Sequence, residues 1–158
     1  MVDLHQFYGP LSDREKGEAP HAPAHGELLP LVPVPVDAGP LDYSHPVLGS
    51  SHLQWPYKDK DGKIWGYKLR FDYITETNSH ESEEQIVTFC QWEGGRGWRR
   101  KSFPSPLPLF NLPAVIAAKD LPVVICQSEA DALAVQALFP DMVATSAVFG
   151  SYLLDKTD

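Results

Sequence analysis

The sequence predicts an α+β protein, and three observations carry that expectation. A tight-turn signal and an alternating run lie between Leu53 and Tyr73. Two further short strand-like runs follow before residue 103. An apolar run, a capped helical pattern and a second apolar run then follow one another from Val123 to Thr145. The first two describe a small antiparallel β-module, and the third describes a strand–helix–strand unit of the parallel kind.

The bulk properties set the bounds. The chain has 158 residues, 43% of them apolar, and a net charge of −8. It has 15 prolines, of which eight fall within residues 1–50, about twice the usual share for the chain as a whole. Residues 1–50 therefore read as a proline-rich arm or linker. In Leu28-Leu29-Pro30-Leu31-Val32-Pro33-Val34-Pro35-Val36, proline recurs too often for a helix or a central strand and favours polyproline II. Such an arm serves as a spacer or as a docking peptide for a protein partner. His21 and His25 lie four apart, a spacing without metal-binding meaning where no helix forms.

Residues 53–103 form the β-module. Asp59-Lys60-Asp61-Gly62 is a turn signal, with Gly62 free to take positive φ. In the arm that follows, Trp65, Tyr67, Leu69, Phe71 and Tyr73 fall on one face. Gly66, Lys68, Arg70 and Asp72 fall on the other, to meet solvent or a ligand. Ile74 to Gln85 is acidic and reads as a long exposed loop. Ile86–Trp92 is the third strand, Glu93-Gly94-Gly95-Arg96-Gly97 a turn, and Trp98-Arg99-Arg100-Lys101 the start of the fourth.

Residues 108–158 contain the α/β unit. Pro113 suits the first turn of a short helix running to Lys119, which Asp120-Leu121-Pro122 ends. Glu129–Phe139 is the main helix. Ser128 is its N-cap and Asp131 a short-armed capping partner. Ala130, Leu133, Ala134, Ala137 and Leu138 fall at helical spacing and predict the buried face.

Charge and cysteine usage narrow the function classes. A net −8 argues against nonspecific nucleic-acid affinity of the whole chain. Nine of the 13 Lys and Arg nevertheless lie between Lys58 and Lys101, so the module has a basic face. Lys68, Arg70, Arg99, Arg100 and Lys101 stand among aromatics and are the candidate contacts to single-stranded DNA or RNA. Cys90 and Cys126 read as buried free thiols. No basic region with an apolar core opens the chain. No apolar run nears the ~20 residues that span a bilayer. The expectation is a cytoplasmic protein without a membrane partner. A P-loop, a nucleophile elbow and a zinc ligand set are all missing.

The run Val123-Val124-Ile125-Cys126-Gln127-Ser128-Glu129-Ala130-Asp131, continuing to Phe139-Pro140-Asp141, resembles the opening of a Toprim domain, in the variant found in phage and plasmid primases and primase–helicases. The resemblance extends upstream over Trp55-x-Tyr57-x-Asp59-x-Asp61-Gly62, Gly66-Tyr67-x-Leu69-Arg70-Phe71-Asp72, Trp98-x-x-Lys101-x-Phe103-Pro104 and Pro108-Leu109-Phe110-Asn111-Leu112. It implies a truncated Toprim-like unit and an association with DNA replication. It also implies Mg²⁺ held by carboxylates at strand ends for nucleotidyl transfer. Gln127 falls where that family places its first, catalytic glutamate, Ser128 at the glycine and Glu129 at the second glutamate. Gln127 and Glu129 are thus the candidate catalytic positions, and Glu129 the candidate metal ligand. A glutamine brings no charge and no base. The paired aspartates of the family do not follow Ser151. The expectation is a primase-like piece that is not catalytically competent alone, with Mg²⁺ assigned to the resembled family and no metal assigned to this chain. The alternative is a stand-alone, non-enzymatic nucleic-acid- or protein-binding factor that reuses the scaffold.

Overall fold

The computed structural model describes residues 27–150; the calls on His21, His25 and Ser151–Asp158 lie outside them. The architecture is α+β, an antiparallel sheet joined to a small parallel one. The antiparallel sheet contains β1 (Leu29–Pro30), β2 (Leu53–Lys58), β3 (Ile64–Ile74), β4 (His80–Trp92) and β5 (Gly95–Arg100). Its order is β1-β4-β3-β2, with β5 also on β4. β4 is the trunk. Its first half pairs with β3, from Ile74↔His80 to Tyr67↔Val87. Its second half pairs with β5, and β1 continues β3's side at Cys90 and Gln91. The parallel sheet is β6 (Val123–Cys126) beside β7 (Val143–Ser146), connected by α2 (Glu129–Leu138). A short helix α1 (Leu112–Ala117) precedes them.

The β2–β3 turn forms as its sequence implies. The Asp59 carboxylate accepts hydrogen bonds from the Asp61 and Lys63 amides, both at 2.9 Å, and Gly62 takes φ +79°. The second turn corrects the sequence reading. Residues 74–85 are not a long loop. The chain reverses between Thr75 and Ser79, with Asn78 left-handed at φ 60°, and β4 begins at His80. Both faces of its first turns are polar, so no hydrophobic alternation marks them as a strand.

Both faces of the antiparallel sheet are covered over its middle; on the face expected to meet solvent or a ligand, Gly66 and Lys68 are buried, whereas Arg70 and Asp72 stay partly exposed. On one face Leu69, Phe71, Val87, Phe89 and Trp98 are buried beneath Leu31, Val34, Ala38, Leu41, Tyr43 and Leu48. The second half of the proline-rich arm is therefore a strap over the sheet. Its prolines need no ladder partners, and its few free N–H groups find acceptors: Leu31 N to Phe89 O at 2.8 Å and Val34 N to Ile64 O at 2.7 Å. Trp98 Nε1 donates back to Pro40 O at 2.9 Å.

The opposite face shares one core with the α/β unit. Trp55, Tyr57, Ile86 and Phe103 meet Phe110, Cys126, Ala132, Ala144 and Val148. Trp65 packs here too, away from Leu69 and Phe71. A bulge in the β2–β3 register, Tyr57↔Gly66 followed by Lys58↔Ile64, moves it across the sheet. Gly66 sits at the tightest point. A β-carbon there would lie 2.6 Å from Val87 O and 2.9 Å from the Phe103 ring.

α2 is capped as its sequence implies. Ser128 Oγ accepts from Asp131 N at 3.2 Å and donates to the Asp131 carboxylate at 2.8 Å. Its buried face is not the predicted one. Glu129 and Ala132 are buried and Val135 is half-buried against the core, whereas Ala130, Leu133, Ala134, Ala137 and Leu138 face outward. The reason lies in the side chain at position 129.

Candidate functional site

The carboxyl ends of β6 and β7 open onto a cleft of about 720 Å³. In open α/β sheets this end gathers loops and helix N-termini, so ligands collect there. Gln127 and Ser128, ahead of α2, line one side with Phe149 and Gly150 after β7. Arg100, Lys101 and Ser102 line the other, and Lys68, Glu84, Gln85, Ile86 and Val148 are also in the lining.

Behind the cleft lies a buried polar node. Glu129 has no solvent exposure. Its Oε1 accepts from the Tyr57 hydroxyl and from Lys68 Nζ at 3.2 Å, and its Oε2 accepts from the same Nζ at 3.0 Å. Lys68 Nζ also meets Glu84 Oε2 at 2.8 Å, where the Glu84 side chain is 37% exposed. Burial pushes the Tyr57 hydroxyl well above the usual tyrosine range, and the Glu129 charge and hydrogen bond push it further, so it stays a donor. A carboxylate with no water contact requires such partners. This requirement turns Glu129 inward and sets the rotation of α2.

The predicted cations separate. Lys68, Arg100 and Lys101 come together at the cleft. Arg70 turns to Asp72, Nε to Oδ1 at 2.7 Å. Arg99 lies over the Trp92 ring at 4.2 Å and donates to Trp98 O at 2.7 Å. Lys68 is 7% exposed, because its cross-strand neighbours Trp55 and Ile86 belong to the shared core. Tyr57 and Glu84 are the partners that the sequence reading missed. The one available signal was Lys68 among apolar cross-strand neighbours.

The residues do not fit a Mg²⁺ ion. That ion takes oxygen ligands at about 2.0–2.1 Å and usually keeps several waters. Glu129 is sealed from water, with both oxygens engaged by Lys68 and one also by Tyr57. Gln127 offers only a neutral oxygen, and Asp131 holds the Ser128 hydroxyl. Among the described residues, no group of three or more His, Cys, Asp or Glu side chains could hold a metal ion. What the site can do is meet an anion. The Arg100 and Lys101 charges and the N-terminus of a ten-residue helix border the same space.

No helix among the described residues is long and apolar enough to cross a membrane. Comparison with protein-family models, with curated proteins and with solved structures finds no match for the chain.

Proposed function

We propose that this chain is a nucleic-acid-binding piece of the phage and plasmid primase or primase–helicase type, acting in the cytoplasm on single-stranded DNA or RNA. Its cleft holds backbone phosphate and performs no nucleotidyl transfer by itself. The observation that supports this reading is the convergence of Arg100, Lys101 and the Gln127–Ser128 turn at the carboxyl ends of two parallel strands. The burial of Glu129 supports the non-catalytic part, since the one acidic side chain left in the Glu-Gly-Glu-like turn is held by Lys68.

Fluorescence anisotropy with labelled single strands tests the reading. Binding is expected to weaken steeply between about 50 and 200 mM salt. Replacing Arg100 and Lys101 together by alanine is expected to lower the salt slope by about 1.4, the value for two lost phosphate contacts to a single strand. Salt-independent binding, or an unchanged slope in the double variant, refutes the site. Metal-dependent primer product from the purified chain refutes its non-catalytic part.

A second reading, a protein-binding factor, is favoured by the outward apolar face of α2. Leu133, Leu138 and Phe139 are 51%, 73% and 50% exposed.

A further inference from the structure

We propose that Lys68 is a built-in substitute for a divalent metal ion. Its ammonium group holds together the two carboxylates that would otherwise need a dissociable cation, so the site works without metal. The inference stands whether or not the cleft binds nucleic acid.

The geometry is that of a bridged cation. One nitrogen contacts Glu84 Oε2 at 2.8 Å and Glu129 at 3.0 and 3.2 Å. The carboxylates come from different parts of the chain, β4 of the antiparallel sheet and the first residue of α2, and the nitrogen is carried by β3. Two carboxylates facing one point repel unless a cation stands between them. Here that cation is covalently tethered, and its effective concentration cannot be diluted away. Charge counting gives the consequence. Lys68 with Glu84 and Glu129 carries one net negative charge. Without the ammonium group it would carry two, and one divalent ion would neutralise it. Ca²⁺ suits the vacated place better than Mg²⁺, because its oxygen distances of about 2.3–2.6 Å lie nearer to the N–O spacings of the parent.

The test is thermal unfolding, followed by circular dichroism, of the parent and of Lys68→Ala. Each is measured in EDTA, in MgCl₂, in CaCl₂ and in KCl of equal ionic strength. The parent is expected to melt at the same temperature in all four. Lys68→Ala is expected to melt about 10–20 °C lower in EDTA, the cost of leaving a buried carboxylate without its partner. Divalent ions, but not KCl, are expected to restore about half of that loss through preferential binding to the folded form. If Lys68→Ala is unfolded in EDTA, recovery of the folded spectrum on adding CaCl₂ is the same result. Lys68→Ala/Glu129→Gln removes the buried charge and is expected to fold without a divalent response. The proposal is overturned if no divalent ion restores either the melting temperature or the spectrum of Lys68→Ala. It is equally overturned if the double variant responds as much, or if the parent itself gains stability saturably with divalent ions.

Discussion

Replacing both members of the buried ion pair should harm the protein less than replacing either one. In Glu129→Leu, Lys68 keeps Glu84 but loses its buried partner. In Lys68→Met, Glu129 is left fully buried with only the Tyr57 hydroxyl as donor. Removing one member of a buried pair costs about 3–5 kcal/mol. Native stability for a fold of this size is on the order of 6–18 kcal/mol, so each single change removes a large share. The double variant Lys68→Met/Glu129→Leu leaves no buried charge. Glu84, partly hydrated at 37% exposure, loses a partner worth only about 0–1 kcal/mol. The Tyr57 hydroxyl loses its acceptor at about 1–3 kcal/mol. The double variant should therefore be destabilised by about 1–4 kcal/mol in total, and adding Tyr57→Phe should recover most of that. Urea unfolding followed by tryptophan fluorescence measures all four variants. A coupling energy of about 2 kcal/mol or more between positions 68 and 129 is expected. Single variants that lose less than about 1 kcal/mol, or additivity within about 0.5 kcal/mol, would refute the node as a structural unit.

Three other perturbations follow from the same geometry. Gly66→Ala places a β-carbon 2.6 Å from the Val87 carbonyl oxygen and should cost about 1–3 kcal/mol, read as a lower urea midpoint; an unchanged midpoint refutes the close approach. His45 accepts at Nδ1 from the Val47 and Leu48 amides. Burial lowers its pKa from 6.5, aided by Arg100 and opposed by Glu83, so its contribution is present above pH 6.5 and lost as pH falls below it. Protection of the Val47 and Leu48 amides, taken relative to the free-peptide exchange rate at each pH, should fall on acidification, and constant protection refutes this. The raised pKa of Tyr57 works in the opposite direction. Its contribution is complete below pH 10 and declines above it, where the unfolded tyrosine ionises and the folded one does not. The decline should approach about 1.4 kcal/mol per pH unit and be absent in Tyr57→Phe; equal alkaline slopes in parent and variant refute the assignment.

The parts legible in the sequence are those decided by neighbours a few residues away. The Asp59–Gly62 turn needs only its own side chain and a glycine. The Ser128 cap needs only Asp131. The α+β division follows from the change of period between the module and the α/β unit. The misread parts were decided across the fold. Period-two alternation placed Trp65 with Leu69 and Phe71, but one bulge moved it to the other face. Apolar counting favoured Ala130, Leu133 and Leu138 as the inner face of α2, but the contact between Glu129 and Lys68, 61 residues apart, decided the rotation. The prolines of residues 30–40 correctly excluded a helix and a central strand, and left the arm a two-residue edge strand, β1. They gave no sign that Leu31, Val34 and Ala38 would cover the sheet.

The position of the buried node follows from how the two sheets meet. A pair of parallel strands cannot bury both faces by itself, and β6–β7 gains its inner cover from Tyr57, Ile86 and Phe103 of the antiparallel module. Apolar packing of this kind is tolerant of sliding, because it is non-directional. Tyr57 and Lys68 supply direction. They fix the first residue of α2 against β2 and β3 by directional hydrogen bonds. The same contacts hold the Gln127–Ser128 turn at one side of the cleft, with Arg100 and Lys101 at the other. Glu129 therefore belongs to the site without facing it. Its carboxylate orders the turn that does, and its charge is paired with Lys68.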